Sequence, residues 1–249
     1  MKVIINGANG RMGRMLTACI ENTEGFEIAA RVSRSFTLNP EADIYQTLEQ
    51  FEGEADCVID FSNHSETGSI LGYCVMRKLP VVIATTGQSA EELHQIETAI
   101  DDIPVFLSAN MSLGVAVLAD LAKRAAAMFP EADIEIIERH HNQKLDAPSG
   151  TALLLAKRIC EARGEMKFVL GRSGHAKREP DEIGIHALRY GSETGTHEII
   201  ISNGMETITL KHEAENRGLF ARGALAAARF LPGRAPGLYD MRHIIQEGN

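Results

Sequence analysis

The chain alternates short, wholly apolar runs with longer stretches of helical periodicity. Val3-Ile4-Ile5, Cys57-Val58-Ile59, Val81-Val82-Ile83 and Val105-Phe106-Leu107 carry no polar residue. Such runs mark strands buried on both faces of a parallel sheet. Residues 11–21 and 65–77 have helical patterning, and Ser89 with Glu92 forms a capping box that starts a further helix. A strand is expected at 26–32. The polar, acidic stretch 39–54, with Ile44, Tyr45, Leu48 and Phe51, predicts a short packed helix. Residues 113–129 form a long alanine-rich helix with Leu118, Leu121 and Ala125 on one face. Ile134, Ile136 and Ile137 then mark a strand, and 151–159 a helix. Residues 164–182 read as a polar loop or lid in which His175, Lys177 and Arg178 are solvated. Strands at 185–189, 196–202 and 206–211 follow, the last two joined by the hairpin signal Asn203-Gly204. A helix at 216–230 and the tail G-L-Y-D-M-R-H-I-I close the chain and are expected to return to the first domain.

The first strand runs into G-A-N-G-R-M-G, from Gly7 to Gly13, and then a helix. Strand, glycine turn and helix make the unit in which backbone approaches a pyrophosphate at a helix start. The spacing is G-x-x-G-x-x-G rather than G-x-G-x-x-G, so the strand at 26–32 is needed to complete the unit. The fold class expected is α/β, a Rossmann-type doubly wound parallel sheet. A second α+β domain with an open mixed, largely antiparallel sheet is expected beside it. The dinucleotide-binding domain would comprise 1–112 and 222–249, and a substrate-binding and oligomerisation domain 113–221. Apolar residues fall on both faces of the second sheet, and self-association is the expected cover.

The second strand ends in Ser33 and Arg34, with Arg31 nearby and no acid. An acid there would bind the ribose 2′-hydroxyl of NAD, whereas an arginine accommodates a 2′-phosphate. NADPH is therefore expected to be preferred, with NADH possible. Thr85-Thr86 and Ser108-Ala109-Asn110-Met111 lie at strand ends, where a doubly wound sheet collects its ligand.

The densest chemistry lies in E-I-I-E-R-H-H-N-Q-K-L-D-A-P-S-G-T-A, residues 135–152. Pro148 disfavours helical geometry at Ala147, and Ser149 is a good N-cap. The N–H groups of Gly150, Thr151 and Ala152 should thus point into a loop holding His140, His141, Lys144 and Asp146. His140 can exchange a proton near neutral pH, Lys144 offers a cation, and the helix start adds oriented donors. Together they suit a carboxylate substrate that must gain a proton. A lone loop histidine is more often simply solvated; the cluster on one strand–loop–helix unit carries the reading. Consecutive strand residues alternate in direction, so His140 and His141 do not form a ligand pair. No H-E-x-x-H or cysteine-rich set accompanies them, and no metal is expected.

Charge narrows the partners. The 249 residues carry 34 acidic and 25 basic side chains, a formal net charge of −9. That argues against a general nucleic-acid binder. Cys19, Cys57, Cys74 and Cys160 have no C-x-x-C spacing and sit in apolar segments, which fits packed thiols in a reducing, cytoplasmic setting. No run approaches the roughly 20 apolar residues of a membrane helix, and the apolar start stops at Asn6-Gly7, unlike a signal peptide.

E-x-x-E-x-H-H-x-x-K-x-D-A-P-S-G-T-A resembles the signature of the 4-hydroxy-tetrahydrodipicolinate (dihydrodipicolinate) reductase family. G-A-N-G-R-M-G, V-I-D-F-S, T-T-G, S-A-N-M-S and G-L-Y-D-M-R extend the likeness over nearly the whole chain. The resemblance implies NAD(P)H-dependent reduction of the cyclic intermediate of the diaminopimelate route to lysine, giving tetrahydrodipicolinate. It implies that His140 is proton donor or acceptor and that Lys144 assists as a donor. Substrate carboxylates would be held by His141, Gly150 and Thr151, with Ser149 placed in the same site. Gly7, Ala8, Asn9, Gly10, Arg11, Met12, Arg34, Ala84, Thr85, Thr86, Ser108, Ala109, Asn110 and Met111 would hold the cofactor. A homotetramer built through the second domain's sheet is likewise implied. Two departures stand out: Ser33 where many members have an acid, and Ala84 where many have glycine. Competing readings are another NAD(P)-dependent reductase of a small amino dicarboxylate and a dinucleotide-sensing regulator without turnover. A sensor has no need of a proton donor beside an anion site.

Overall fold

The computed structural model describes residues 1–247. The chain divides into two compact units, Met1–Ser112 together with the chain from Gly218 onward, and Leu113–Arg217. The return to the first unit begins at Gly218, the start of a helix, rather than at Arg222 inside it.

In the first unit the strands are β1 (Lys2–Asn6), β2 (Glu27–Val32), β3 (Ile44–Tyr45), β4 (Cys57–Asp60), β5 (Val81–Ile83) and β6 (Pro104–Leu107). Helices α1 (Arg11–Glu21), α2 (Thr67–Arg77) and α3 (Ala90–Ala99) connect them. In the second unit come α4 (Leu113–Met128), β7 (Asp133–His140), α5 (Gly150–Arg163), β8 (Lys167–Leu170), β9 (Glu182–Arg189), β10 (Thr196–Ser202) and β11 (Thr207–Glu213). The chain then re-enters the first unit with α6 (Gly218–Phe230), β12 (Gly237–Tyr239) and α7 (Met241–Glu247).

The first sheet is ordered β12-β6-β5-β4-β1-β2-β3, and every pairing is parallel. It is the doubly wound order, with its reversal between β1 and β4. The apolar runs fill its centre: Val3, Ile4, Ile5, Cys57, Val58, Ile59, Val81, Val82 and Ile83 are all fully buried. The expected helix in 39–54 is instead two 3-10 turns around the short strand β3. Pro40 stands at the start of the first turn, and Asp43 ends it in the left-handed region at φ 56°. The left-handed residue at Asp43 ends the turn before an α-helix can form there.

The second sheet is ordered β11-β10-β7-β9-β8. Its β10 pairs antiparallel with both β7 and β11, while β9 pairs parallel with β7 and β8. Half of its pairings are therefore parallel, fewer antiparallel than expected. The supposed lid at 164–182 contributes the edge strand β8. Arg178 is not solvated either: it bonds Glu135 and Asp133 at 2.7 Å each.

On one face of this sheet Ile134 and Ile136 of β7, Ile183 and Ile185 of β9, and Ile199 and Ile201 of β10 form an isoleucine layer. Helix α5 covers it with Ala152, Leu155, Ala156 and Ile159, a spacing that puts all of them on one stripe. Helix α4 adds Leu118, Ala119, Ala122 and Ala126. Each buried isoleucine removes apolar surface worth roughly 1.5–3 kcal/mol. The opposite face is more polar than expected. Half-buried Ile137 and Ile200 lie there among the pairs Glu135–His186 and Arg139–Glu198.

In the first unit α6 packs so tightly that a Cβ on Gly223 would lie 1.6 Å from the carbonyl oxygen of Met111. Gly223→Ala is therefore expected to destabilise the protein by about 1–3 kcal/mol. Thermal unfolding should show a fall of roughly 2–4 °C per kcal/mol. A Tm equal to that of the unmodified chain would show that the helix shifts without cost.

Candidate active site

At the reversal of the first sheet, β1 and β4 end side by side with Asn6 opposite Asp60. Gly7 then turns at φ 77°, a region open to glycine. A Cβ on Gly7 would meet the Phe61 backbone at 2.7 Å, and one on Gly13 would meet the Gly7 carbonyl at 2.3 Å. The turn is thus packed against both the next strand and its own helix. Gly10 caps α1 without a side-chain acceptor, so backbone donors at that helix start face outward from the turn.

A cavity of about 370 Å³ is lined here by Asn6, Gly7, Asn9, Gly10, Ser33, Arg34, Ser35, Phe61, Ser62 and Glu66. A glycine cradle at a helix start beside an arginine suits the phosphates and ribose of a dinucleotide. Of the residues expected around such a cofactor, Gly7, Asn9, Gly10 and Arg34 line the cavity directly, and Ala8 is buried beneath the turn. Arg11 and Met12 open α1.

The other expected cofactor residues sit at the ends of β5 and β6. The Ala84 N–H donates to the Asp60 carbonyl, and the Thr85 hydroxyl donates to the Asp60 carboxylate at 3.1 Å. Thr86 is exposed. Ser108 donates to the Asn110 carbonyl at 2.7 Å, the Asn110 side chain accepts from the Ser112 N–H, and Met111 is buried against α6. Ala109 lies within this turn.

Two acids in this unit lay outside the sequence expectations. Asp60 is fully buried, and burial pushes its carboxyl up despite hydrogen bonds from Ser62, Asn6 and Thr85. Glu66 forms an ion pair with Arg34 at 3.1 Å. Glu66 comes from a turn after β4, so the second strand's end gave no hint of it.

In the second unit the alternation that buries Ile134 and Ile136 continues along β7 to Glu138 and His140. These two polar residues therefore sit on the helix-covered face, where Glu138 is fully buried and His140 is 8% exposed. Register supplies their neighbours: His140 lies opposite Arg189 of β9, and Glu138 opposite His197 of β10. The Glu138 carboxylate accepts from His140 Nδ1 at 2.6 Å, from both Arg189 Nη atoms at 2.8 and 2.6 Å, and from the Ser149 N–H at 3.0 Å. Burial works to raise its pKa. The hydrogen bonds from His140, Arg189 and Ser149 overcome that and bring it down to about 2.

Ser149 caps α5 by accepting from the Ala152 N–H, and its hydroxyl lies 3.1 Å from His197 Nε2. Burial first, and then the charge of His140, push His197 down to about 3, so it stays neutral at pH 7. The rings of His140 and His197 meet edge to face at 5.2 Å.

The loop between β7 and α5 holds the remaining expected residues. Lys144 pairs with Asp146 at 2.8 Å. The bond from Lys144 chiefly, with the Gly150 N–H among the others, keeps the Asp146 carboxyl below its usual range. The helix start is thus not bare: the Ser149 hydroxyl takes the Ala152 donor. Lys144 already holds a carboxylate, that of Asp146. His141 and Thr151 are half-buried beside them.

Of the expected residues, His140 and Ser149 both bond to Glu138, while Lys144 and His141 lie in the loop that leads to Gly150 and Thr151 at the start of α5. The structure adds Glu138, Arg189 and His197, which the motif alone did not single out. Glu138 was detectable two residues before His140, on the same strand face. Arg189 and His197 become visible only once the strands are paired. Among the described residues no group of three or more His, Cys, Asp or Glu side chains is placed to hold a metal. No helix among them is long and apolar enough to cross a membrane.

Comparison with known proteins gives the family. The chain is 45% identical over 243 residues to a 4-hydroxy-tetrahydrodipicolinate reductase of Clostridium tetani, covering 97% of this chain and 95% of that one. It is 45% identical over 250 residues to the enzyme of that name in Caldanaerobacter subterraneus subsp. tengcongensis, covering 100% and 99%. Its fold superposes with a TM-score of 0.82 on a dipicolinate-bound dihydrodipicolinate reductase from Paenisporosarcina sp. TG-14, at 26% identity over 98% of this chain and 99% of that one. The family models for the dihydrodipicolinate reductase N-terminus and C-terminus match residues 1–111 and 114–245, and the chain belongs to the dihydrodipicolinate reductase family.

Proposed function

We infer that the protein is a nicotinamide-dependent reductase. Its substrate is 4-hydroxy-tetrahydrodipicolinate, reduced by way of dihydrodipicolinate to tetrahydrodipicolinate on the diaminopimelate route to lysine. The observation that carries this is the buried Glu138–His140 pair on the strand that leads into Lys144 and the α5 start: a proton donor and a carboxylate site on one unit.

NADPH or NADH, when bound, supplies a hydride to one end of the substrate's conjugated system. The chain's own residues do the rest. Lys144 and the N–H groups of Gly150 and Thr151, with His141, hold the ring carboxylates by charge-assisted hydrogen bonds. The engagement of Asp146 by Lys144 supports this, since a substrate carboxylate would replace one already accommodated there. His140 gives a proton from Nε2, and Lys144 assists, completing the reduction as negative charge develops. In this reading the first unit carries the cofactor and the second the substrate. Self-association, as a homotetramer, uses the open face of the five-stranded sheet, where Ile137 and Ile200 are only half-buried. Among the cofactor contacts, Ser33, Ser35 and Arg34 take the 2′-phosphate and make NADPH the preferred donor.

His140→Gln is expected to lower kcat by at least about tenfold, within the range general acid catalysis contributes, while NADPH binding stays near that of the unmodified enzyme. Undiminished turnover would remove His140 from the reaction. A charge-assisted bond to a phosphate is worth roughly 1.5–3 kcal/mol, or about 10- to 150-fold. Arg34→Ala should therefore lower kcat/KM for NADPH by at least that lower bound and leave NADH little changed. Glu66→Gln, which frees Arg34 from its ion pair, should raise the ratio of NADPH to NADH efficiency. Steady-state assays with both cofactors at fixed ionic strength decide it, and a ratio unmoved in both variants would contradict the role given to Arg34.

A further inference from the structure

We propose that Glu138 and Arg189 are positioning residues for the reduction. Glu138 fixes a proton on Nδ1 of His140, so that Nε2 is the atom offered to the substrate. Arg189 locks Glu138 in place and ties it to the loop that carries Lys144. The proposal rests on the reading of His140 as proton donor.

The hydrogen bonds leave Glu138 no freedom. Oε1 accepts from the Ser149 N–H and Arg189 Nη2, and Oε2 from His140 Nδ1 and Arg189 Nη1. A carboxylate has about four acceptor sites, and all are used. An ionised carboxylate only accepts, so the contact at 2.6 Å requires hydrogen on Nδ1. Proton exchange with substrate is thereby confined to Nε2. Glycine stands beside that atom: a Cβ on Gly195 would lie 2.9 Å from Nε2 and crowd it.

The groups facing His140 divide cleanly. Glu138 on its own strand is anionic, and Arg189 on β9 is cationic but committed to Glu138. His197 on β10 is neutral, and Lys144 in the following loop is paired with Asp146. Glu138 is thus the carboxylate bonded to the His140 ring. Arg189 also donates to the Asp146 carbonyl at 2.7 Å, and the Asp146 carboxylate holds Lys144. One guanidinium thus sets the carboxylate behind the histidine and the backbone beside the lysine.

The test is Glu138→Gln, which keeps the shape and removes the charge. Its kcat should fall by roughly 10²-fold, with the substrate KM within about threefold, because the loss is confined to the proton-transfer step. Loss of the opposite charge empties the donor at lower pH. The alkaline limb of the pH–kcat profile should accordingly move to lower pH. A purely structural role would leave that limb in place. In ¹⁵N-histidine spectra above the limb, the unmodified enzyme should show His140 protonated on Nδ1, and Glu138→Gln should lose that preference. A kcat within twofold of the unmodified enzyme with an unmoved limb, or a His140 tautomer protonated on Nε2, would overturn the proposal. Should Glu138→Gln fail to fold, Arg189→Lys takes its place, expected to lower kcat at least about tenfold by loss of the bidentate fork; unchanged turnover there would equally overturn it. His140→Gln separates the two readings. If that variant keeps full turnover, the assignment of His140 is what fails. If it loses turnover while Glu138→Gln does not, only the positioning role fails.

Discussion

A fully buried carboxylate is the constraint around which the second unit is arranged. Taking Glu138 out of water costs several kcal/mol unless its charge is met at close range. The cost is met from three directions: a ring nitrogen two residues along the same strand, a guanidinium from the neighbouring strand and a backbone N–H from the residue that caps α5. Each partner depends on a different feature of the fold. The register of β7 with β9 places Arg189, the pleat places His140, and the turn through Pro148 places Ser149. A slip of one residue in that register would turn the isoleucine layer outward and separate the carboxylate from its cation. Core packing and site geometry are therefore enforced by the same alternation.

The first unit applies a related device at the ends of its strands. The central runs are apolar because both faces of the parallel sheet are covered, so polar residues are confined to strand ends. There Asn6 at the end of β1 and Thr85 just beyond β5 both donate to the Asp60 carboxylate at the end of β4. Ser62 gives two further donors to Asp60. Asp60 thereby joins the strand ends on either side of the sheet's reversal. Loop positions that would otherwise be independent are held in one network.

What could be read from the chain follows the range of the interactions involved. Apolar runs, the glycine turn and the cap at Ser149 are local, and each appears where its pattern places it. The edge strand β8 was missed because Lys167-Phe168-Val169-Leu170 lies in a polar segment and is only half-buried. The parallel pairing of β7 with β9 depends on the crossover through α5 and β8, and nothing in either strand announces its neighbour. Arg178 looked like a solvated loop charge because its partners Asp133 and Glu135 lie more than forty residues earlier. The site divides in the same way. His140, Lys144 and the Ser149-Gly150-Thr151 helix start are contiguous enough to form a motif. Arg189 and His197 enter through strand pairing, and Glu66 through the fold of a different loop.

Asp60 and Glu138 show why position alone does not assign a role. Both are fully buried and both carry several hydrogen bonds. Those to Asp60 come from an amide, hydroxyl groups and a backbone N–H, all neutral, and burial prevails to raise its carboxyl. Those to Glu138 include a guanidinium and an imidazole, and the carboxyl falls to about 2. Neutral donors leave Asp60 suited to holding strand ends together, where a fixed charge is not required. Cationic partners keep Glu138 ionised throughout the neutral range, and an ionised carboxylate, which only accepts, requires a proton on Nδ1 of His140. The difference between the two carboxylates thus lies in the charge of their donors, and that charge is set by which strand ends the fold brings alongside.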